Sequence, residues 1–249
     1  AILCIYITKD KKIFFGTNEG LSYLENNKSR KFIHIGDKEG LVGLQVNTIC
    51  EDASGNIWVG TDKGLNKIQI GQNSKIAIQQ AQLLQPSGSY FVRALACVDD
   101  QLYAGIDNKG IIRYDLRKST LHKYTKENGK LSNNIIRKII YSKRSGKLYI
   151  GTMSGLTIED LKSGRIDQIH KDLSNSSNLS DNSIKDIFED KDGSIWLGTN
   201  FGGVSVFHPT KSYFKIYRAN PYINSLSGDL ISQLKVDRLD NLWIGTEGN

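Results

Sequence analysis

The sequence predicts an all-β fold, a β-propeller of four-stranded antiparallel blades, and three observations predict it. First, Gly16, Gly60, Gly105, Gly151, Gly198 and Gly245 each stand two residues after an aromatic in an apolar run, at intervals of 44, 45, 46, 47 and 47. Second, the runs between them are of strand length, bounded by Gly, Asn and Asp, and carry no helical period. Third, each period holds four such runs. A four-stranded sheet cannot bury both its faces alone, so a period in the forties predicts sheets stacked on copies of themselves.

Residues 44–70 show one copy. An inner strand runs to Glu51-Asp52, a tight turn uses Ser54-Gly55-Asn56, and a second strand carries Ile57, Trp58 and Val59. A second turn at Asp62-Lys63-Gly64 leads into a third strand from Leu65 to Ile70. Gly, Asn and Asp lie where the chain must reverse because they tolerate positive φ or bond their own backbone. A fourth, outer strand is expected in the segments 31–35, 121–124, 166–169 and 214–217. The chain thus holds five full periods and the opening half of a sixth, read as one propeller domain over residues 1–249.

The second strands repeat an aromatic at Phe14, Trp58, Tyr103, Tyr149, Trp196 and Trp243. Recurrence in every copy between apolar neighbours assigns these rings to packing between blades. Trp58, Trp196 and Trp243 are therefore expected to be mostly buried. The threonines after the glycines, Thr17, Thr61, Thr152, Thr199 and Thr246, belong to the same scaffold. What differs between copies is where function is to be sought.

Composition narrows the classes. The 33 basic residues exceed the 26 acidic ones, for a net charge of +7, but no dense basic run occurs, so nucleic acid is not an expected partner. No stretch reaches the ~18 apolar residues of a membrane-spanning helix. Cys4, Cys50 and Cys97 form no Cys-x-x-Cys pair, and residues in adjacent copies are expected to stand too far apart to bridge, so all three read as small buried thiols.

The segments NTICEDASGNIWVGTDKGLNKI, NSIKDIFEDKDGSIWLGTNFGGVSVF and DLISQLKVDRLDNLWIGTEGN resemble the two-component regulator propeller repeat. The resemblance is strong in the second, fifth and sixth copies and looser elsewhere, with Ile106 replacing Thr after Gly105. It implies the periplasmic sensor region of a Bacteroides-type hybrid two-component system. That is an inner-membrane receptor whose propellers and sandwich domain bind an oligosaccharide and drive an intracellular histidine kinase, with homodimers expected at full length. It also implies seven blades per propeller, so the chain is expected to be a piece of a larger receptor. Because the last copy repeats the two inner strands that the N-terminus already carries, an open or partner-completed arc with association-prone edges is expected.

Ligand contacts are expected on the long, dissimilar loops entering the inner strands, residues 36–43, 85–90, 127–133, 171–182 and 219–229. On the inner strands themselves, Asn47, Arg93, Arg137 and Lys185 are candidates to line the mouth of a channel. Their cationic members suit carboxylate or sulfate groups through charge-assisted hydrogen bonds, which favours an acidic oligosaccharide. Tyr90, Phe201 and Tyr222 are aromatics in or beside these loops that do not recur in every copy, and they suit stacking on sugar C–H faces.

Catalysis is not expected. His34, His122 and His170 fall on outer strands and His208 precedes Pro209, so none has acid–base or ligand spacing on an inner face. Asp190-Lys191-Asp192-Gly193 begins like a calcium loop but lacks the later oxygen ligands, and it reads as a hairpin turn. Neither metal nor cofactor is expected. Two alternatives stand beside the sensor: a glycan lyase or hydrolase using Arg137, Lys138, Lys185 and Asp186, and a docking module with no small ligand.

Overall fold

The computed structural model of the chain describes residues 1–24, 31–71, 76–81, 89–172, 174, 178–210 and 214–247. Among them, strands form five four-stranded sheets and one two-stranded sheet, every ladder antiparallel between chain neighbours. Blade 1 holds β1 (Ile2–Ile7), β2 (Ile13–Thr17), β3 (Gly20–Leu24) and β4 (Phe32–Ile35); blade 2 holds β5 (Val46–Glu51), β6 (Ile57–Thr61), β7 (Leu65–Ile70) and β8 (Ile76–Gln80). Blade 3 holds β9 (Val92–Val98), β10 (Gln101–Ile106), β11 (Gly110–Asp115) and β12 (Thr120–Tyr124). Blade 4 holds β13 (Ile136–Ser142), β14 (Lys147–Thr152), β15 (Gly155–Asp160) and β16 (Ile166–Ile169). Blade 5 holds β17 (Ile184–Glu189), β18 (Ile195–Thr199), β19 (Val204–Phe207) and β20 (Lys215–Tyr217). Blade 6 has β21 (Leu230–Val236) and β22 (Leu242–Glu247). The predicted fold class is the one observed.

The chain divides into two compact units, residues 1–123 and 124–249. In the first, Phe14 and Tyr23 of blade 1 pack on Val46, Ile49, Ile57 and Val59 of blade 2. The opposite face of blade 2, with Cys50, Trp58 and Leu65, packs on Val92, Leu95 and Leu102 of blade 3. In the second unit, Tyr149 and Leu156 of blade 4 meet Ile184, Ile187 and Leu197 of blade 5, and Trp196 of blade 5 meets Ile231 and Leu234 of blade 6. Each such aliphatic side chain contributes about 1.5–3 kcal/mol when fully buried, which is why strands with apolar residues on both faces form layers.

The recurrent glycine has a packing cause. A Cβ on Gly60 would stand 2.6 Å from Val92 Cγ1 of the next blade, one on Gly151 2.7 Å from Ile184 Cγ2, and one on Gly198 2.6 Å from Ile231 Cγ2. In each of these pairs the β-branched residue opening the inner strand sits directly on the glycine of the blade before it. The threonine that follows closes the next turn: its hydroxyl donates to the carbonyl of Gly64 from Thr61 at 3.1 Å, of Gly155 from Thr152 at 2.8 Å and of Gly203 from Thr199 at 2.8 Å.

One residue corrects the expected burial. Trp58 is buried at 4% exposure and Trp196 is half-buried, stacked on Tyr217 at 5.8 Å, but Trp243 is 64% exposed. The register is unchanged, since Trp243 pairs with Lys235 as Trp58 pairs with Cys50. What differs is that no described sheet covers that face of β22. The mirror case is blade 1, where Ile5 is 54% exposed although its register equivalent Ile49 in blade 2 is 7% exposed.

Candidate functional site

Every inner strand carries one bulge, always at the same place. Val46 pairs with Thr61 and Thr48 with Gly60, leaving Asn47 without a cross-strand partner. The same step leaves Leu3, Arg93, Arg137, Lys185 and Ser232 unpaired in the other blades. All four inner-strand candidates named from the sequence are therefore bulge residues. A bulge re-aims its side chain out of the ladder, and this is what the sequence could not announce, because the six residues range from Leu3 and Ser232 to Arg93 and Lys185.

Beside each bulge lies the residue two places after the recurrent glycine. Its backbone N–H is donated to the carbonyl just before the inner strand: Asp62 to Gln45 at 3.0 Å, Asp107 to Phe91 at 2.9 Å, Met153 to Ile135 at 3.0 Å and Asn200 to Ser183 at 2.9 Å. In two blades the bulge side chain reaches this neighbour, Arg93 to Asp107 and Arg137 to Met153.

In the first unit the candidates are engaged. The Asn47 amide donates to Val92 O at 3.2 Å and its oxygen accepts from Gln45 Nε2 at 3.0 Å, tying blade 2 to blade 3. Arg93 grips Asp107 through Nε at 2.6 Å and Nη2 at 3.2 Å, with its guanidinium 4.5 Å from the Phe91 ring. That bidentate pair neutralises the charge expected to meet an anion. Tyr90 is a correction: it is 8% exposed, belongs to the cluster of Trp58 and Val92, and donates its hydroxyl to Ala81 O at 3.2 Å. Its ring fills core and is not offered to a ligand.

In the second unit the neighbours carry no charge. Arg137 places Nη2 3.9 Å from the sulfur of Met153, and the register neighbour of Lys185 is Asn200. Among the described residues no hydrogen bond or ion pair engages the Lys185 ammonium. One residue further along each strand, Lys138 pairs with Asp186 at 2.8 Å, and the other Asp186 oxygen accepts the N–H of Leu234 at 2.9 Å. That carboxylate is buried and ties blades 4, 5 and 6 together.

Exposed aromatics flank this side. Phe201, next to Asn200, is 73% exposed and its N–H is held by Asp181 Oδ2 at 3.0 Å. Tyr222 is 92% exposed on a loop stitched by Ala219 N–H to Asp229 Oδ1 at 2.7 Å and Asn220 N–H to Ser225 Oγ at 2.7 Å. A cleft lined by Arg218, Ile223 and Leu226 opens beside that loop. Of the other loops expected to carry contacts, residues 85–88, 173 and 175–177 lie outside the described residues.

The turn at Asp190 has a structural role. Its carboxylate accepts the N–H groups of Asp192 at 3.0 Å and Ser194 at 2.9 Å and the Trp196 indole N–H at 2.7 Å. These bonds account for an aspartate at the head of the hairpin.

Comparison with known proteins agrees with the repeat. The family described as Two component regulator propeller matches residues 40–63 and 178–201. Histidine kinase P4 of Formosa agariphila is 30% identical over 218 residues, which span 85% of this chain and 16% of the relative. Among solved structures, the extracellular domain assigned to a hybrid two-component system of B. thetaiotaomicron superposes with a TM-score of 0.70 at 18% identity, covering 98% of this chain and 38% of that one. Virginiamycin B lyase from Staphylococcus aureus superposes with a TM-score of 0.65 at 12% identity, covering 96% of this chain and 75% of that one. At these identities the structural likenesses show the fold alone. Two of the six glycine-centred copies of this β-propeller, those holding residues 40–63 and 178–201, thus match the two-component regulator propeller repeat.

Proposed function

We propose that the chain is part of the periplasmic sensor region of a hybrid two-component receptor, binds an oligosaccharide and signals through the rest of that receptor to an intracellular histidine kinase. The match to a histidine kinase and the likeness to an extracellular two-component domain support the receptor. The remaining propeller and sandwich domains, and a second copy of the receptor, are its partners in this reading. The observation that carries ligand binding is Lys185. It is a bulged, unpaired cation on an inner strand beside neutral Asn200, whose chain neighbour is the exposed Phe201. A cation next to an exposed aromatic matches a sugar ring bearing a carboxylate or sulfate.

The lyase reading is weaker for a specific reason. Asp186, the carboxylate it would need, is 6% exposed in its side chain and already holds Lys138 and the Leu234 N–H. A group so engaged is scaffold.

Calorimetric titration with acidic and neutral oligosaccharides tests the proposal. Replacing Lys185 or Arg137 by Ala should weaken binding of an acidic glycan by about 1–3 kcal/mol, as for a lost charged hydrogen bond. Replacing Arg93 should change affinity little, because Asp107 already holds it. Equal affinities across these variants would overturn the site, and cleavage of the bound glycan would overturn the sensor in favour of the enzyme.

A further inference from the structure

Cys50 and Cys97, expected to stand apart in adjacent blades, share one apolar cluster, and the reason is register. Cys50 pairs with Trp58, whereas the blade 3 residue that pairs with Tyr103, the register equivalent of Trp58, is Ala96; Cys97 lies one step further, at the position that Glu51 holds in blade 2. One step along a strand turns a side chain to the other face. Cys50 therefore faces blade 3 and Cys97 faces blade 2. Both side chains belong to one apolar cluster with Trp58, Leu95 and Leu102.

The two strands are pinned at this level. Leu95 N–H is donated to Thr48 Oγ1 at 3.1 Å, and each cysteine lies two residues on from these, on the same side of its strand. The equivalent positions one blade earlier are Tyr6, where Cys50 stands, and Glu51, where Cys97 stands, and there Glu51 Oε2 accepts the Lys9 N–H of blade 1 at 2.8 Å. After burial, the Cys97 thiol is the neighbour that raises the Cys50 thiol. Cys4 is turned elsewhere, its sulfur 3.8 Å from Val46 O.

We propose that Cys50 and Cys97 are a redox-active dithiol that closes to a disulfide joining blade 2 to blade 3 when a small-molecule disulfide is supplied. Cys97 is half-buried and Cys50 buried, which sets the order of events. The Cys97 thiolate attacks one sulfur of the oxidant, here oxidised glutathione, and one glutathione thiolate leaves. The Cys50 thiolate then attacks the Cys97 sulfur of this mixed disulfide, forming the Cys50–Cys97 bond and releasing the second glutathione. Two protein thiols are oxidised, one glutathione disulfide is reduced, and the two protons end on glutathione. Burial, and after it the neighbouring Cys97 thiol, push the Cys50 thiol well above the usual range, so the second step quickens as pH rises past ordinary thiol values. The bond does not depend on the sensor reading, although an oxidising compartment would favour it.

The test uses the full chain incubated with oxidised glutathione at alkaline pH, followed by intact mass and non-reducing peptide mapping. The expected product has lost two hydrogens and yields one linked peptide pair containing Cys50 and Cys97. Cys50→Ser should instead accumulate glutathione on Cys97, and Cys4→Ser should behave as the parent. Glutathione retained on Cys97 of the unaltered chain, a bridge to Cys4, or three unmodified thiols would each overturn the proposal.

Discussion

Trp58 donates its indole N–H to Asp52 Oδ2 at 2.9 Å, six residues back along the chain and on the other side of the first hairpin turn. The same carboxylate accepts the backbone N–H groups of Ser54 and Asn56 and the Asn56 amide. Asp190 with Trp196, at 2.7 Å, and Asp237 with Trp243, at 2.9 Å, repeat the bond. The aspartate thus shapes the turn and satisfies the ring that the next strand carries, which accounts for their joint recurrence.

Asp52→Ala should destabilise the fold by about 2–4 kcal/mol, because it leaves a buried indole N–H and turn amides unpaired. Asp237→Ala should cost much less, since Trp243 is exposed and water replaces the acceptor. Urea unfolding of the two variants checks the contrast.

Acid should act on Asp237. Hydrogen bonds from Asn241 and Trp243 hold Asp237 down to about 2. A carboxylate whose folded value is depressed contributes stability that is full above its unfolded value of ~3.9 and is lost as pH falls through the folded one. The Trp243 indole proton signal in an NMR titration should therefore keep its position down to about pH 4 and shift with a midpoint near pH 2.

Ile5→Lys and Ile49→Lys place the same charge at equivalent positions with opposite surroundings. The first should change stability by no more than about 0.5 kcal/mol, while the second, in the packed face of blade 2, should cost more than about 3 kcal/mol. Thermal melts of both variants decide it.

Gly60→Ala inserts a methyl 2.6 Å from both Thr48 Cγ2 and Val92 Cγ1 and should cost about 1–3 kcal/mol by overpacking. Gly245→Ala meets first the Ser232 hydroxyl at 2.9 Å, a side chain that can turn away, and should cost less. Denaturant midpoints compare the two.

The sequence carried the blades because their markers have packing causes. Gly60 is read from the chain since Val92 leaves no room for a Cβ, and Trp58 since it must reach both Asp52 and the next sheet. The site was less legible. That Asn47, Arg93, Arg137 and Lys185 share a bulge is a fact of register, which leaves no residue type behind. The partner of Arg93 could have been found, since Asp107 stands two places after Gly105, where Asp62 stands after Gly60. Tyr90 misled because it recurs in no other blade, yet one loop ring was needed to fill the space beside Val92. Trp243 misled because burial is set by a neighbouring sheet and is not a property of the repeat.

A residue that sits in a bulge answers to no cross-strand partner. Its identity is free of the pairing preferences that constrain every other position on the inner strand, and Leu3, Asn47, Arg93, Arg137, Lys185 and Ser232 occupy it with equal ease. Selection can therefore exchange one such residue for another without disturbing a ladder or a buried glycine contact. In the proposed sensor, ligand preference is then a setting that each blade holds separately, revised one codon at a time.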